Sequence, residues 1–135
     1  MIRNFTIHDG TDLKIDHQTF EIFNVFKIRS IDFDFELKTL TITLSGIKEY
    51  LSPPPVIRLC FQSIARLYTS GNFFQFNEAA IYRFGFKRPD DTDLDWIHGE
   101  KDAEPDDDFI VMFYGDEHFR IHCATITAHV NYERN

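Results

Sequence analysis

Asp91, Asp93 and Asp95 alternate along one short stretch, and Asp106, Asp107 and Asp108 follow it as a run. All six belong to DDTDLDWIHGEKDAEPDDD, residues 90–108, where ten of nineteen residues are acidic and Lys101 is the one base. Hard cations bind clustered carboxylate oxygens, and the 91, 93, 95 spacing matches positions one, three and five of a twelve-residue calcium loop ending at Asp102. The sixth position of such a loop turns on Gly, and here it is Trp96; the twelfth is Asp in place of the longer Glu. An EF-hand is therefore not expected. Paired carboxylates for glycoside hydrolysis need a rigid cleft that drives their pKa values apart. Ten acids in a hydrated loop do not supply one. The segment is expected to hold no metal and no cofactor, and to contribute no catalytic residue.

Its charge suggests something else. The chain carries 22 acids and 14 bases, a net of −8, yet outside this segment 12 acids stand against 13 bases. The whole excess of negative charge is local. Such a patch attracts a basic partner across a Debye length of about 8 Å and raises the association rate. Trp96 and Ile97, set among the acids, offer an apolar anchor of the kind interfaces use as hot spots. On this reading Asp91, Asp93, Asp95, Trp96, Asp106, Asp107 and Asp108 form a docking surface for a basic protein. A solvated connecting loop would show the same charge, so that reading stays open. Nucleic acid is disfavoured because the patch has the wrong sign.

The remaining polar residues are sparse. His118 and His122 are four apart, which suits a metal on a helix but leaves them about 13 Å apart on a strand. His8-Asp9 falls at a turn, where Asp commonly bonds local backbone. His17, His98 and His129 lack partners at metal spacing. No phosphate loop, nucleophile elbow or Cys-x-x-Cys pair occurs. Cys60 and Cys123 are expected as free, buried thiols, and His122 and Cys123 point to opposite faces of a strand. The alternative from a different class is a small-ligand-binding or enzymatic β domain with a Phe- and Tyr-lined pocket, with His8 at its mouth.

Alternating hydrophobicity dominates the elements that must position these residues. FTIHDGTDLKI reads as a hairpin turning at Asp9-Gly10. FEIFNVFKI reads as a strand with Phe20, Ile22, Phe26 and Ile28 on one face. IDFDFEL places Ile31, Phe33, Phe35 and Leu37 inward and Asp32, Asp34 and Glu36 in water. A tight hairpin at Lys38-Thr39 then leads to Leu40, Ile42 and Leu44. The prolines of SPPPV break the chain. VIRLCFQSIARLY fits either a helix or strands, with periodicity slightly favouring the helix. AIYRFGFK and FIVMFYG read as strands on either side of the acidic segment. HFRIHCATITAHV is a last strand whose phase shifts near Ala124-Thr125, the mark of a bulge. With 15 Phe in 135 residues, the chain can build a core. The expectation is one all-β domain over residues 1–135, an antiparallel sandwich or flattened barrel of about 8–10 short strands with little helix, carrying the acidic loop at 90–108. No run is long enough for a membrane helix and the start does not read as a signal peptide, so no membrane association and a cytoplasmic location are expected.

Four pieces, FTIHDGTDLKI, IRLCFQSIARLY, AIYRFGF and HFRIHCATITAHV, taken in this order, resemble small all-β bacterial families of mostly unknown function that include predicted immunity proteins of polymorphic toxin systems. The resemblance implies strands for residues 56–68 and brings no catalytic residue. It implies inhibition by binding, with an acidic surface facing a basic toxin.

Overall fold

The computed structural model describes residues 1–70, 80–115 and 117–132. Within them the chain is nearly all β: β1 (Ile2–Arg3), β2 (Phe5–His8), β3 (Asp12–Ile15), β4 (Gln18–Glu21), a helical turn α1 (Ile22–Val25), β5 (Phe26–Asp34), β6 (Thr39–Gly46), β7 (Pro55–Thr69), β8 (Ile81–Lys87), a 3-10 turn (Glu100–Asp102), β9 (Asp108–Phe113) and β10 (His118–Tyr132). One curled antiparallel sheet runs β5-β6-β7-β10-β9-β8 and forms a half-barrel. β1 joins it in parallel beside β10, pairing Ile2 with Thr125. β2, β3 and β4 make a small second sheet.

β10 organises the half-barrel. Along one edge it pairs with β7 from Phe119↔Thr69 to Tyr132↔Pro55. Along the other its first residues pair with β9 and later ones with β1. The side-chain phase of β10 changes between Cys123 and Ile126, both buried, where the sequence pattern places a bulge. The matching irregularity in the ladder to β7 lies between His122 and Cys123, and Ser63 on β7 adopts φ +54°.

Phe109 on β9 is the centre of the core. Its ring meets Phe5 at 6.1 Å, Phe61 at 5.8 Å, Phe84 at 5.9 Å and Phe86 at 5.6 Å, so the small sheet and three strands of the large one converge on one aromatic cluster. Leu13, Ile15 and Phe20 complete the small sheet's inner face.

The expected β2–β3 hairpin is present, with positive φ at Asp9 and Gly10. Residues 55–69 form a strand, not a helix, and it is one continuous strand of 15 residues. Two expectations are corrected. FEIFNVFKI is not a single strand, because α1 interrupts it; Ile22 and Phe26, four apart, are buried under either period and conceal the turn. In IDFDFEL the inward assignment fails: Phe33, Phe35 and Leu37 are 41%, 83% and 70% exposed. The strand ends at Asp34, whose Oδ1 accepts the Leu37 amide, so residues 35–38 lie in the connecting turn beyond the core.

Candidate functional site

Antiparallel register alone lines up four polar residues across four strands. Lys87 on β8 pairs with Asp108 on β9, and His122 on β10 pairs with Arg66 on β7. The pairing of Phe109 with Ile121 sets Asp108 directly across from His122. His122 Nδ1 donates to Asp108 Oδ1 at 2.7 Å, and Arg66 approaches the same oxygen at 3.8 Å. Arg120, two residues back on β10, donates from Nε to Asp108 Oδ2 at 2.6 Å. This row occupies the face of the sheet opposite Phe109 and the core.

The acidic segment lies over that face and is built onto it. Arg120 donates through its terminal nitrogens to the carbonyls of Asp91 at 2.5 Å and Arg88 at 2.8 Å. Arg88 donates to Asp107 Oδ2 at 2.6 Å and to the Asp102 carbonyl at 3.1 Å. Lys87, fully buried, donates to the Trp96 carbonyl at 2.8 Å, and its ammonium lies 3.3 Å from the Trp96 ring centroid, a close cation–π contact. Arg3 grips Glu100 with two parallel hydrogen bonds at 2.7 and 2.8 Å. Phe86 and His98 exchange main-chain hydrogen bonds, and Ile97 is buried beneath. Gly85 makes this approach possible, since a Cβ there would lie 2.5 Å from Ile97 Cδ1 and 2.8 Å from the His98 carbonyl.

The acids named from sequence thus divide in two. Asp107 and Asp108 are 2% exposed; Arg88 pairs with Asp107 Oδ2, whose other oxygen has no hydrogen-bond partner among the described residues, and Asp108 pairs with Arg120 and is hydrogen-bonded by His122. Asp91 is half-buried beside Lys87. The Asp93 amide donated to its carboxylate, helped by the Lys87 ammonium, holds Asp91 below the usual carboxylate range. Asp93, Asp95 and Asp106 are exposed, as are Asp90, Asp102 and Glu104, and among these six Lys101 is the one exposed base of the segment. Trp96 is 48% exposed, its ring edge-on to His98. Asp91, Asp93 and Asp95 do not converge: each of the first two accepts the amide two residues on, a chain of local turns. Among the described residues no three His, Cys, Asp or Glu side chains are grouped to hold a metal ion.

Arg3, Lys87, Arg88, Arg120 and His122 were not expected to belong to the site. Alternation places Arg120 and His122 on the outer face of β10, which reads as solvent. The available signal was complementarity: basic residues on the strands that flank the one acid-dense segment.

The other polar candidates stay apart. His8, His17 and His129 are exposed, and His8 has Thr6 Oγ1 as its neighbour at 3.4 Å. Cys60 and Cys123 are free thiols, Cys60 half-buried and Cys123 buried. An open groove of about 390 Å³ is lined by Phe20, Phe26 and Tyr132, away from His8. Among the described residues no helix is long and apolar enough to cross a membrane.

The geometry defines an antiparallel β half-barrel with a charge-clamped acidic loop. No family model, curated protein or solved structure matches the chain.

Proposed function

We propose that this chain is a non-catalytic binding protein that docks a basic protein partner through the outer carboxylates of residues 90–108, in the manner of an immunity-type inhibitor. The observation that carries this reading is the division of the loop's acids. Asp91, Glu100, Asp107 and Asp108 are spent on Lys87, Arg3, Arg88 and Arg120, and the segment they fix leaves Asp93, Asp95 and Asp106 exposed and Trp96 half-exposed. A patch fixed in advance loses little conformational entropy on binding, and outward carboxylates keep a long-range field; Asp93 and Asp95 face no base among the described residues, and the exposed Asp106 has His122 Nε2 at 3.7 Å. Asp107 and Asp108 serve the surface by supporting it. Asp93, Asp95, Asp106 and Trp96 are the residues that touch the partner.

The test is stopped-flow association with the basic protein encoded beside this chain, at low and high salt. The D93N/D95N/D106N variant is expected to associate about tenfold more slowly at low salt and to lose most of the salt dependence. An unchanged rate, or the lack of any basic neighbour that binds, overturns the reading.

A further inference from the structure

β7 is longer than the strand that covers it. β6 pairs with it only from Val56 to Phe61, and the last main-chain hydrogen bond on that side runs from the Ile64 amide to the Lys38 carbonyl at 3.1 Å. From Ala65 to Thr69, β7 has β10 along one edge and, among the described residues, no strand along the other. The ladder to β10 shows which main-chain groups face the open side. The Ser70 amide donates to the His118 carbonyl at 3.0 Å, and two-residue alternation carries this bonding through Tyr68↔Arg120 and Arg66↔His122. Leu67 and Thr69 therefore turn their amides and carbonyls outward, where a further strand would sit.

An open groove of about 360 Å³ adjoins this edge. Its walls are Phe33, Phe35, Ile64 and Leu67, the two rings lying 4.7 Å apart, and its charged lining is Lys38 and Arg66 with no acid among the described residues. In a chain of 22 acids and 14 bases this is a local reversal of sign. Arg66 already leans on Asp108 at 3.8 Å. Lys38 is exposed and pairs with no acid among the described residues, so it is the cation left for a ligand. It belongs to the end of the groove where the 35–38 turn and the Ile64–Lys38 hydrogen bond stop any added strand.

We infer that this groove captures the C-terminal residues of a partner chain, bound as an added strand antiparallel to β7. The direction follows from charge. An antiparallel strand reaches the blocked end with its C-terminus, so its free carboxylate meets Lys38; a parallel strand would bring an ammonium there. With the ligand's last residue opposite Leu67, its carboxylate accepts the Leu67 amide and its own amide donates to the Leu67 carbonyl. The residue two before it makes the same exchange with Thr69. Four main-chain hydrogen bonds result, and none of them depends on the ligand's sequence. Specificity comes from the side chains. Leu67 pairs with the buried Ile121 and so faces inward, and the ligand's last side chain, on the same face, enters between Leu67 and Phe33. The groove accordingly takes a chain that ends in an apolar residue with a free carboxylate.

This groove does not involve the acidic loop, so the two readings fail separately. The test is isothermal titration of the full chain with acetylated pentapeptides, acetyl-Gly-Ser-Val-Thr followed by Val, Leu, Ile or Phe, each as the free acid and as the amide. At least one free acid is expected to bind with a Kd below about 1 mM, and its amide about tenfold more weakly. Lys38→Gln should remove the preference for the acid. Phe35→Ser, at a side chain 83% exposed and outside the core, should weaken both forms about tenfold while leaving the fold intact. In the bound state the Leu67 and Thr69 amides should gain protection from hydrogen exchange. No binding by any of the peptides in that range, equal binding of acid and amide, or a Lys38→Gln variant that keeps the preference overturns the inference. So does binding that leaves Leu67 and Thr69 unprotected, the result expected of a groove that takes apolar anions without adding a strand.

Discussion

Arg120 satisfies Asp108 with one nitrogen and, with the other two, the backbone of the acidic loop and of the Arg88-Pro89 step that leads into it. Its Nε reaches Asp108 Oδ2 at 2.6 Å, while its terminal nitrogens bond the carbonyls of Asp91, Arg88 and Pro89. The guanidinium has donors in a fixed fork, and here they are aimed at groups from β9 and from the loop at once. Both side chains are almost fully buried, at 9% and 3% exposure. The ion pair is thus the joint between sheet and loop.

Removing one partner of such a pair leaves an uncompensated buried charge. Arg120→Met is expected to cost about 3–5 kcal/mol of stability, well above the cost of a surface charge. It also frees the loop, so amide exchange should accelerate from Asp91 to Asp95 more than in β6. Denaturant unfolding and hydrogen exchange check both. A loop that keeps its protection would mean that Arg88 and Lys87 suffice to hold it.

The two groups of acids should separate in stability. D93N/D95N/D106N touches exposed carboxylates only, and an Asn at 93 keeps the oxygen that accepts the Asp95 amide. Its unfolding free energy is expected to stay within about 0.5 kcal/mol of wild type. Asp107→Ala strands the Glu104 amide and leaves Arg88 only the Asp102 carbonyl and the exposed Glu104 carboxylate, and should cost about 1–3 kcal/mol. Chemical denaturation distinguishes them. Equal losses in both variants would show that the exposed acids also brace the fold.

Much of this arrangement was legible in the residues. Leu40, Ile42 and Leu44 alternate and are buried, and Asp9-Gly10 turns the first hairpin. Period-two patterns report which face meets a core, so they succeed wherever one face meets solvent. They fail where a second layer covers the other face. Arg120 and His122 alternate with Phe119 and Ile121 like any solvent-facing pair, and only the fold shows the loop lying over them. Asp107 and Asp108 failed to stand out for the same reason: DDD reads as uniformly hydrated, while β9 begins at Asp108 and draws two of the three inward. The Phe35–Leu37 misassignment has another origin, since alternation continues through a turn that the pattern does not mark; Phe33, still in β5 opposite Leu40, is only partly covered.

Gly85 sets how closely the loop can lie. Gly85→Ala places a methyl within 2.5 Å of Ile97 and 2.8 Å of the His98 carbonyl, which is main chain and cannot simply rotate away. The loop must lift from β8, weakening the Phe86–His98 bridge and the hold of Lys87 on Trp96. A cost of about 1–3 kcal/mol is expected, the range for overpacking a filled site. Trp96 is the only tryptophan, so its emission reports the event directly. A shift in its fluorescence under native conditions is expected, and an unchanged spectrum would show that Ile97 gives way while Trp96 stays on Lys87.

Cys123 makes stability depend on alkaline pH. Burial in the core pushes its thiol from 9.0 up to about 11. Between those values the unfolded chain has released the proton and the folded chain still holds it. The unfolded state then binds fewer protons, so unfolding free energy falls as pH rises. The contribution is complete below pH 9.0 and is lost as pH rises to about 11. Two units correspond to about 2–3 kcal/mol. Cys123→Ala has no thiol to ionise, so its stability, lower by a constant amount for the lost packing, should fall less steeply over that window. Tyrosines and lysines titrate in both proteins, which makes the difference between the two pH profiles the quantity to measure. Parallel profiles from pH 9 to 11 would show that Cys123 ionises in the folded state as readily as in the unfolded chain.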